Sequence, residues 1–394
     1  MKSRSRKSDT LITHAGRKPE ANFGVVNPPV YHASTILHAS VAHFEAAETR
    51  RHDDVVYGRI GTPTQFALED AMAALEGGAR AVAICSGAAA CYTALLAYLR
   101  AGDHVLVPDS VYGPVRSFTT GFLARFGVAF DFYDPLIGAG VASLVKPRTK
   151  AIYLESPGSL TFEVQDVPAI VAVAKDRGIA TMLDNTWSSP LFLRPLDMGV
   201  DVSIVAGTKY IVGHSDAMMG ICICTRESFP KVKQSALQLG YHAAPDDAYL
   251  ALRGLRTVGV RLRAHQEAAL KVARWLKTRA EVERVLHPAL PDCPGHAVWQ
   301  RDFKGSSGLF GVVLRRDIPK AAVDAMLDGM ELFGIGASWG GFESLITAPR
   351  PARLRTATKW DAGPLLRLHI GLEDVDDLIA DLDAGLARLG GKPA

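Results

Sequence analysis

A chain of 394 residues, 48% of them hydrophobic, is too long for one ordinary core and too apolar to be disordered, so two globular domains are expected. A formal net charge of +3 gives no electrostatic case for nucleic acid or an anionic membrane as partner. No uncharged run approaches the roughly 20 residues of a membrane helix, and no apolar stretch follows the basic start Met1-Lys-Ser-Arg-Ser-Arg-Lys7, so neither a membrane span nor a signal peptide is expected.

Residues 1–58 show no sustained period and contain Asn27-Pro-Pro-Val-Tyr31, where proline imposes extended backbone. So long an irregular start is costly unless it packs on something, and an arm over a neighbouring subunit is expected. It ends at Tyr57-Gly-Arg59, a phenol and a fork of guanidinium donors suited to an anion. The alternative reading is a surface arginine.

From residue 59 strands and helices alternate. A helix is expected over Thr64–Leu75, closed by Gly77-Gly78. Ala81–Cys85 reads as a buried strand, and Ser86-Gly-Ala-Ala-Ala90 opens a helix to about Tyr98. Strands follow at His104–Val107 and Ala151–Leu154, then a helix at Val167–Arg177. Two further strands are Ile179–Leu183, closed by Asp184, and Val202–Val205. That alternation predicts an α/β fold, a mostly parallel sheet with helices on both faces. Ligands of such sheets bind beyond the carboxyl ends of the strands.

The chemistry-bearing residues fall at those ends. Ser86-Gly87-Ala88 offers backbone N–H groups and a helix dipole to a phosphate, or is an ordinary strand-to-helix turn. Tyr112 follows the strand after Pro108 and either stacks on a ring and moves a proton or covers core. Asp184 ends one strand, and Thr208-Lys209 follows the next. A lysine to hold an aldehyde covalently and an aspartate to keep a pyridine nitrogen protonated are what pyridoxal phosphate requires. A solvated surface lysine is the bland alternative.

Five cysteines, at 85, 91, 222, 224 and 293, include no Cys-x-x-Cys pair. Cys222 and Cys224 alternate with Ile221 and Ile223 as small hydrophobes of a strand. A reducing, cytoplasmic setting is expected rather than a disulfide framework or zinc. Gly138-Ala-Gly140 resembles the start of a dinucleotide fingerprint, but Ser143 takes the last glycine's place and Pro147 follows, so no helix is expected to open there. That speaks against a nucleotide-binding dehydrogenase. His214 and Asp216 lack a third ligand, so no metal is expected.

Beyond Arg253 the alternation stops. A helix over Val260–Arg279, a strand over Ser307–Leu314 and helices near 319–329 and 374–388 predict a separate α+β domain. Arg367 lies inside the apolar strand Leu365–Ile370, where a charge needs a partner: a substrate carboxylate or a structural salt bridge. Ser338-Trp339-Gly-Gly341 is a glycine-flanked aromatic that shapes a pocket wall or simply packs.

Taken together, Tyr57-Gly-Arg59, Ser86-Gly87, Tyr112-Gly113, Leu154-Glu-Ser-Pro-Gly-Ser159, Leu183-Asp-Asn-Thr-Trp187 and Thr208-Lys-Tyr-Ile-Val-Gly-His-Ser-Asp216 carry a resemblance. It continues through Gly254-Leu-Arg-Thr257, Gly305-Ser-Ser-Gly-Leu-Phe310, Ser338-Trp-Gly-Gly341 and the run from Arg367 to Asp377. The chain resembles the Cys/Met-metabolism pyridoxal phosphate enzymes over nearly its whole length, most closely the bacterial cystathionine β-lyases. The resemblance implies a transferase-type fold I with a seven-stranded sheet, an arm over 1–58, a cofactor domain over 59–254 and an α+β domain over 255–394. It implies Lys209 as the cofactor lysine, Asp184 at the ring nitrogen and Tyr112 over the ring. Gly87, Ala88 and Thr208 would hold the phosphate, joined by Tyr57 and Arg59 from a neighbouring subunit of a homotetramer built as two dimers. Arg367, Ser338 and Trp339, with Tyr57, would hold the amino-acid thioether substrate.

The γ-acting relatives usually carry Pro-Thr-Asn where this chain has Pro157-Gly158-Ser159, so the resemblance implies β-elimination of L-cystathionine. A γ-lyase or γ-synthase, or a broader cystine β-lyase, is the alternative on the same scaffold. Ala206 stands where many relatives place a serine, and Leu237 where a β-lyase tyrosine is expected.

Overall fold

The computed structural model describes residues 6–390. Its strands are β1 (Arg80–Ile84), β2 (His104–Pro108), β3 (Ala129–Tyr133), β4 (Thr149–Glu155), β5 (Ala180–Asp184), β6 (Val202–Val205), β7 (Gly220–Cys224), β8 (Val282–Leu286), β9 (Leu309–Leu314), β10 (Leu345–Thr347) and β11 (Leu365–His369). A seven-stranded sheet has the order β1-β7-β6-β5-β4-β2-β3, and a four-stranded sheet the order β10-β11-β9-β8. In the larger sheet β7 runs antiparallel to β1 and β6, while β5 and β6, β2 and β3, and β2 and β4 pair in parallel. The smaller sheet is antiparallel throughout. No helix of the described residues is long and apolar enough to cross a membrane.

The chain forms two compact units. The first comprises residues up to Arg100, Ala180–Val212 and Asp216–Gly259; the second comprises Ala101–Ile179, Gly213–Ser215 and the residues from Val260 onward.

In the first unit β6 and β7 are buried at every position. Their sequences, Val-Ser-Ile-Val and Gly-Ile-Cys-Ile-Cys, are unbroken small or β-branched runs, as expected of strands covered on both faces. The helix Pro63–Glu76 extends the expected Thr64–Leu75 by one residue at each end. It starts on proline, and the Gln65 side chain accepts from the Thr62 N–H at 2.9 Å. It stops at Gly77, whose φ of +82° only glycine adopts without strain. The irregular start contains helices at Ser8–His14 and Val41–Thr49, the second capped by Ser40, whose hydroxyl accepts from the His43 N–H at 3.1 Å. Neither shows in the hydrophobic period, because each buries only one apolar side chain, Ile12 and Ala47.

In the second unit β9 and β11 carry the core of the smaller sheet through Phe310, Val312, Leu366 and Leu368, covered by helices Val258–Leu276 and Val375–Ala387. The glycine pair at 138 and 140 lies in a 3₁₀ segment, Gly138–Leu144, where no helix was expected; the winding is the tight kind of a connector rather than an α-helix.

The first unit holds a deeply buried carboxyl that is poorly compensated. Glu76 is fully buried, and neither of its oxygens closes a hydrogen bond. Burial pushes its pKa from 4.5 to about 8, opposed by the Ser203 hydroxyl and the Leu196 backbone close by. The folded chain therefore keeps this proton up to about pH 8, while the unfolded chain releases it near 4.5. Stability from this group is fully present below pH 4.5 and is lost as pH rises toward 8. A Glu76→Gln variant, which cannot ionise, should show a thermal midpoint that varies less with pH between 6 and 9 than that of the parent. Parallel pH curves in calorimetry would refute this.

Candidate active site

Parallel neighbours leave a sheet side by side. Asp184, the last residue of β5, pairs in register with Ile204 of β6, and the chain leaving β6 reaches Lys209 one short turn later. That turn is pinned by main-chain bonds: Lys209 N–H to the Ala206 carbonyl at 3.0 Å and Val212 N–H to the Gly207 carbonyl at 2.8 Å. The Thr208 hydroxyl is engaged with β7's lead-in, donating to the Met219 carbonyl at 3.2 Å and accepting from the Met219 N–H at 2.8 Å.

One hydroxyl joins the two strand ends. Thr186 donates its Oγ1–H to Asp184 Oδ1 and accepts from the Ala206 N–H at 2.9 Å; its own N–H reaches Asp184 Oδ1 at 3.0 Å. The Cys91 thiol lies 3.8 Å from Asp184 Oδ2. Loss of hydration raises the Asp184 carboxyl above the usual carboxylate range, opposed by Thr186, Cys91 and the Lys209 charge. The carboxylate is nonetheless half-buried rather than sealed, as is Lys209.

Helix Gly87–Leu96 begins against the same turn. Ser86 Oγ accepts from the Ala89 N–H at 3.2 Å, and the N–H groups of Gly87 and Ala88 lie in the same first turn, where the helix dipole favours an anion. A Cβ on residue 87 would lie 2.5 Å from the Ala206 Cβ, so only glycine allows this approach. The first unit thus brings together Lys209, Asp184, Thr208, Gly87 and Ala88. It also carries Tyr57 and Arg59, on an exposed segment where Arg59 Nη1 donates to the Leu237 carbonyl at 2.9 Å.

The second unit carries Tyr112, Arg367, Ser338 and Trp339. The Tyr112 N–H donates to Glu155 Oε2 at 2.7 Å, and its ring is exposed. Arg367 sits on an inner strand, opposite Gly311 of β9 and Thr347 of β10. Its Nη2 donates to the Ser338 carbonyl at 3.2 Å. Burial lowers its pKa, and the nearby Tyr112 works the other way. Ser338 holds a φ of +78°, a left-handed conformation costly for a non-glycine residue and one that aims its carbonyl. Trp339 is half-buried beside it.

Several residues here escape a reading of the sequence. Thr186 had a signal: an aspartate at a strand end followed two residues later by a hydroxyl residue is a turn that bonds back to the carboxylate. Glu155 ends β4 as Asp184 ends β5, so the same rule would have found it. Asp109 follows β2 and is buried. It accepts the N–H groups of Thr356, Ala357 and Thr358 at 3.0, 2.9 and 2.8 Å and pairs with Arg116. Burial would raise its carboxyl, but these hydrogen bonds outweigh it and hold the group below the ordinary carboxylate range. Nothing local to Asp109 announces partners so far along the chain.

The family model described as Cys/Met metabolism PLP-dependent enzyme matches residues 9–387. The chain belongs to this family. An Escherichia coli cystathionine beta-lyase is 47% identical over 98% of this chain and 99% of its own. A Wolbachia pipientis L-alanine/L-glutamate racemase is 41% identical over 97% and 98%. The crystal structure of a cystathionine gamma synthase from Xanthomonas oryzae superposes with a TM-score of 0.89 at 34% identity, covering 98% of each chain. The family's pyridoxal phosphate fits the first unit, which supplies a lysine, a poorly hydrated carboxylate beside it, and a helix start that tolerates no Cβ.

Replacing Thr186 by valine keeps the shape but leaves Asp184 and the Ala206 N–H without their shared hydroxyl. We expect a loss of about 1–3 kcal/mol in stability together with weaker retention of pyridoxal phosphate on dialysis. A variant with parent-like melting and cofactor content would contradict the bridging role.

Proposed function

We propose that this chain cleaves L-cystathionine by β-elimination to homocysteine, pyruvate and ammonia. The reaction class rests on one observation above the others: Lys209 follows the strand paired in parallel with the one that ends in Asp184, and the Thr186 hydroxyl ties the two. Preference for β- over γ-chemistry is supported by the full-length likeness to a β-lyase at 47%, against 34% for the γ-synthase, and by Pro157-Gly158-Ser159.

When bound, pyridoxal phosphate withdraws electrons from the Cα of the amino acid it carries. Asp184 would pair with the ring nitrogen and keep it protonated, in surroundings whose poor hydration strengthens such an ion pair. The N–H groups of Gly87 and Ala88, with Thr208, would hold the phosphate, and Tyr57 and Arg59 would reach it from a neighbouring subunit. Arg367 holds the substrate carboxylate, with Ser338 and Trp339 shaping its surroundings. Tyr112 covers the ring and accepts a proton from the incoming amine. Lys209 Nζ, released when the substrate's amine takes its place on the cofactor, would remove the Cα proton and deliver it to the departing sulfur, so that the C–S bond breaks with its electron pair on homocysteine. Water then converts the remaining three-carbon fragment to pyruvate and ammonia. The chain works in the cytoplasm as a homotetramer, with residues 1–58 as an arm on a neighbouring subunit; the exposed Phe23, Val25, Val26, Leu37 and Phe44 suit that contact.

Purified protein given L-cystathionine should release pyruvate; release of 2-oxobutyrate would replace the β-lyase reading by a γ-lyase. Lys209→Ala should lose the yellow absorbance of the bound cofactor and about 10²- to 10⁴-fold in turnover. For Arg367→Ala the expectation is a KM at least about tenfold higher, and an unchanged KM would remove this residue from the site. Light scattering should return four times 42.3 kDa.

A further inference from the structure

The helix Phe229–Leu239 carries Lys233 and Leu237 one turn apart on the same face. Both grip the segment that holds Tyr57 and Arg59. Lys233 Nζ donates to the Ile60 carbonyl at 2.9 Å, and the Leu237 carbonyl accepts from Arg59 Nη1 at 2.9 Å. The Leu237 side chain packs on Ala47, Val56 and Ile60.

Lys233 is 4% exposed and lies 3.6 Å from Glu69, which is just as deeply buried. Glu69 Oε1 is fixed in turn by the Ala83 N–H of β1 at 2.9 Å. A buried ion pair is a poor device for stability, because apolar residues of the same volume often do as well or better. Its distinguishing effect is placement. It fixes the carbonyl next to Arg59, while Leu237 takes one of the five guanidinium donors. The rest of the fork stays exposed, with Cζ 5.9 Å from the Tyr57 ring. A long side chain ordered in advance loses less entropy when an anion arrives.

We propose that Lys233, anchored by Glu69, is a positioning residue that sets how tightly Arg59 holds the cofactor phosphate. The proposal rests on the reading of Arg59 as a phosphate ligand. It gives the helix Phe229–Leu239 control over cofactor affinity without any contact to the cofactor.

The test is the dissociation constant of pyridoxal phosphate, followed by its absorbance on the full-length protein. Arg59→Ala, Lys233→Met and the double variant are compared. Each single change should raise the Kd about tenfold, the equivalent of one well-placed hydrogen bond. The double variant should be no worse than Arg59→Ala alone, because Lys233 acts through Arg59. A weakened Arg59→Ala beside a parent-like Lys233→Met overturns the proposal and leaves the Arg59 reading standing. Effects that multiply in the double variant overturn it too. An Arg59→Ala protein with parent-like Kd removes both. If Lys233→Met does not fold, the neutral pair Glu69→Gln with Lys233→Met takes its place in the same comparison.

Discussion

The first unit depends on the parallel register that sets Asp184 opposite Ile204. Parallel strands end at the same edge, so the last residue of β5 and the turn after β6 come out as neighbours without any long-range search. A slip of one residue would turn Asp184 to the other face of the sheet. The apolar middle of β5 and the fully buried runs of β6 and β7 keep that slip from happening, because a shift would carry packed side chains to the wrong face. Thr186 then converts adjacency into fixed geometry, since its single hydroxyl is donor to one strand end and acceptor from the other.

A second theme is the use of buried carboxyl groups in different electrical states. Asp109 is surrounded by N–H donors and is held charged, which organises the Thr356–Thr358 turn around it. Asp184 is poorly hydrated and only partly compensated, which suits a group waiting for a cationic partner. At Glu76 burial outweighs the opposing Ser203 hydroxyl, Leu196 backbone and Arg194 charge, so the group holds its proton and contributes pH sensitivity to the fold rather than chemistry. Glu69 is raised by burial and drawn back by Lys233, which makes it an anchor. Four acidic residues of similar covalent structure thus differ through their surroundings alone.

The strands that the sequence conceals share a location. Among the strands, β3, β8 and β10 were not anticipated, and each lies at an edge of its sheet. β3 and β8 are partly exposed, and their patterns are broken by polar residues such as Asp131 in β3 and Glu283 and Arg284 in β8, whereas the edge strand β1 is largely buried and was legible. Inner strands have an apolar, buried middle, and β2, β4, β5, β6, β9 and β11 were all legible to within about two residues. In β11 Arg367 interrupts the apolar run, and a charge there needs a partner, which the strand pattern alone leaves open between a substrate carboxylate and a structural salt bridge.

The sequence by itself determined the alternation of strands and helices, the family, and the candidates Lys209 and Asp184, because these depend on local periodicity and on residues at strand ends. It pointed to Gly87 and Arg367 for the same reason. Only the tertiary structure decided that Thr186 bridges two strands, that Asp109 gathers a turn almost 250 residues further along the chain, and that Arg59 is held by Leu237 and flanked by Lys233. Those contacts join residues far apart in sequence, and a hydrogen bond across such a span leaves no periodic trace. It is set by how the elements pack, which the order of residues specifies only through the whole fold.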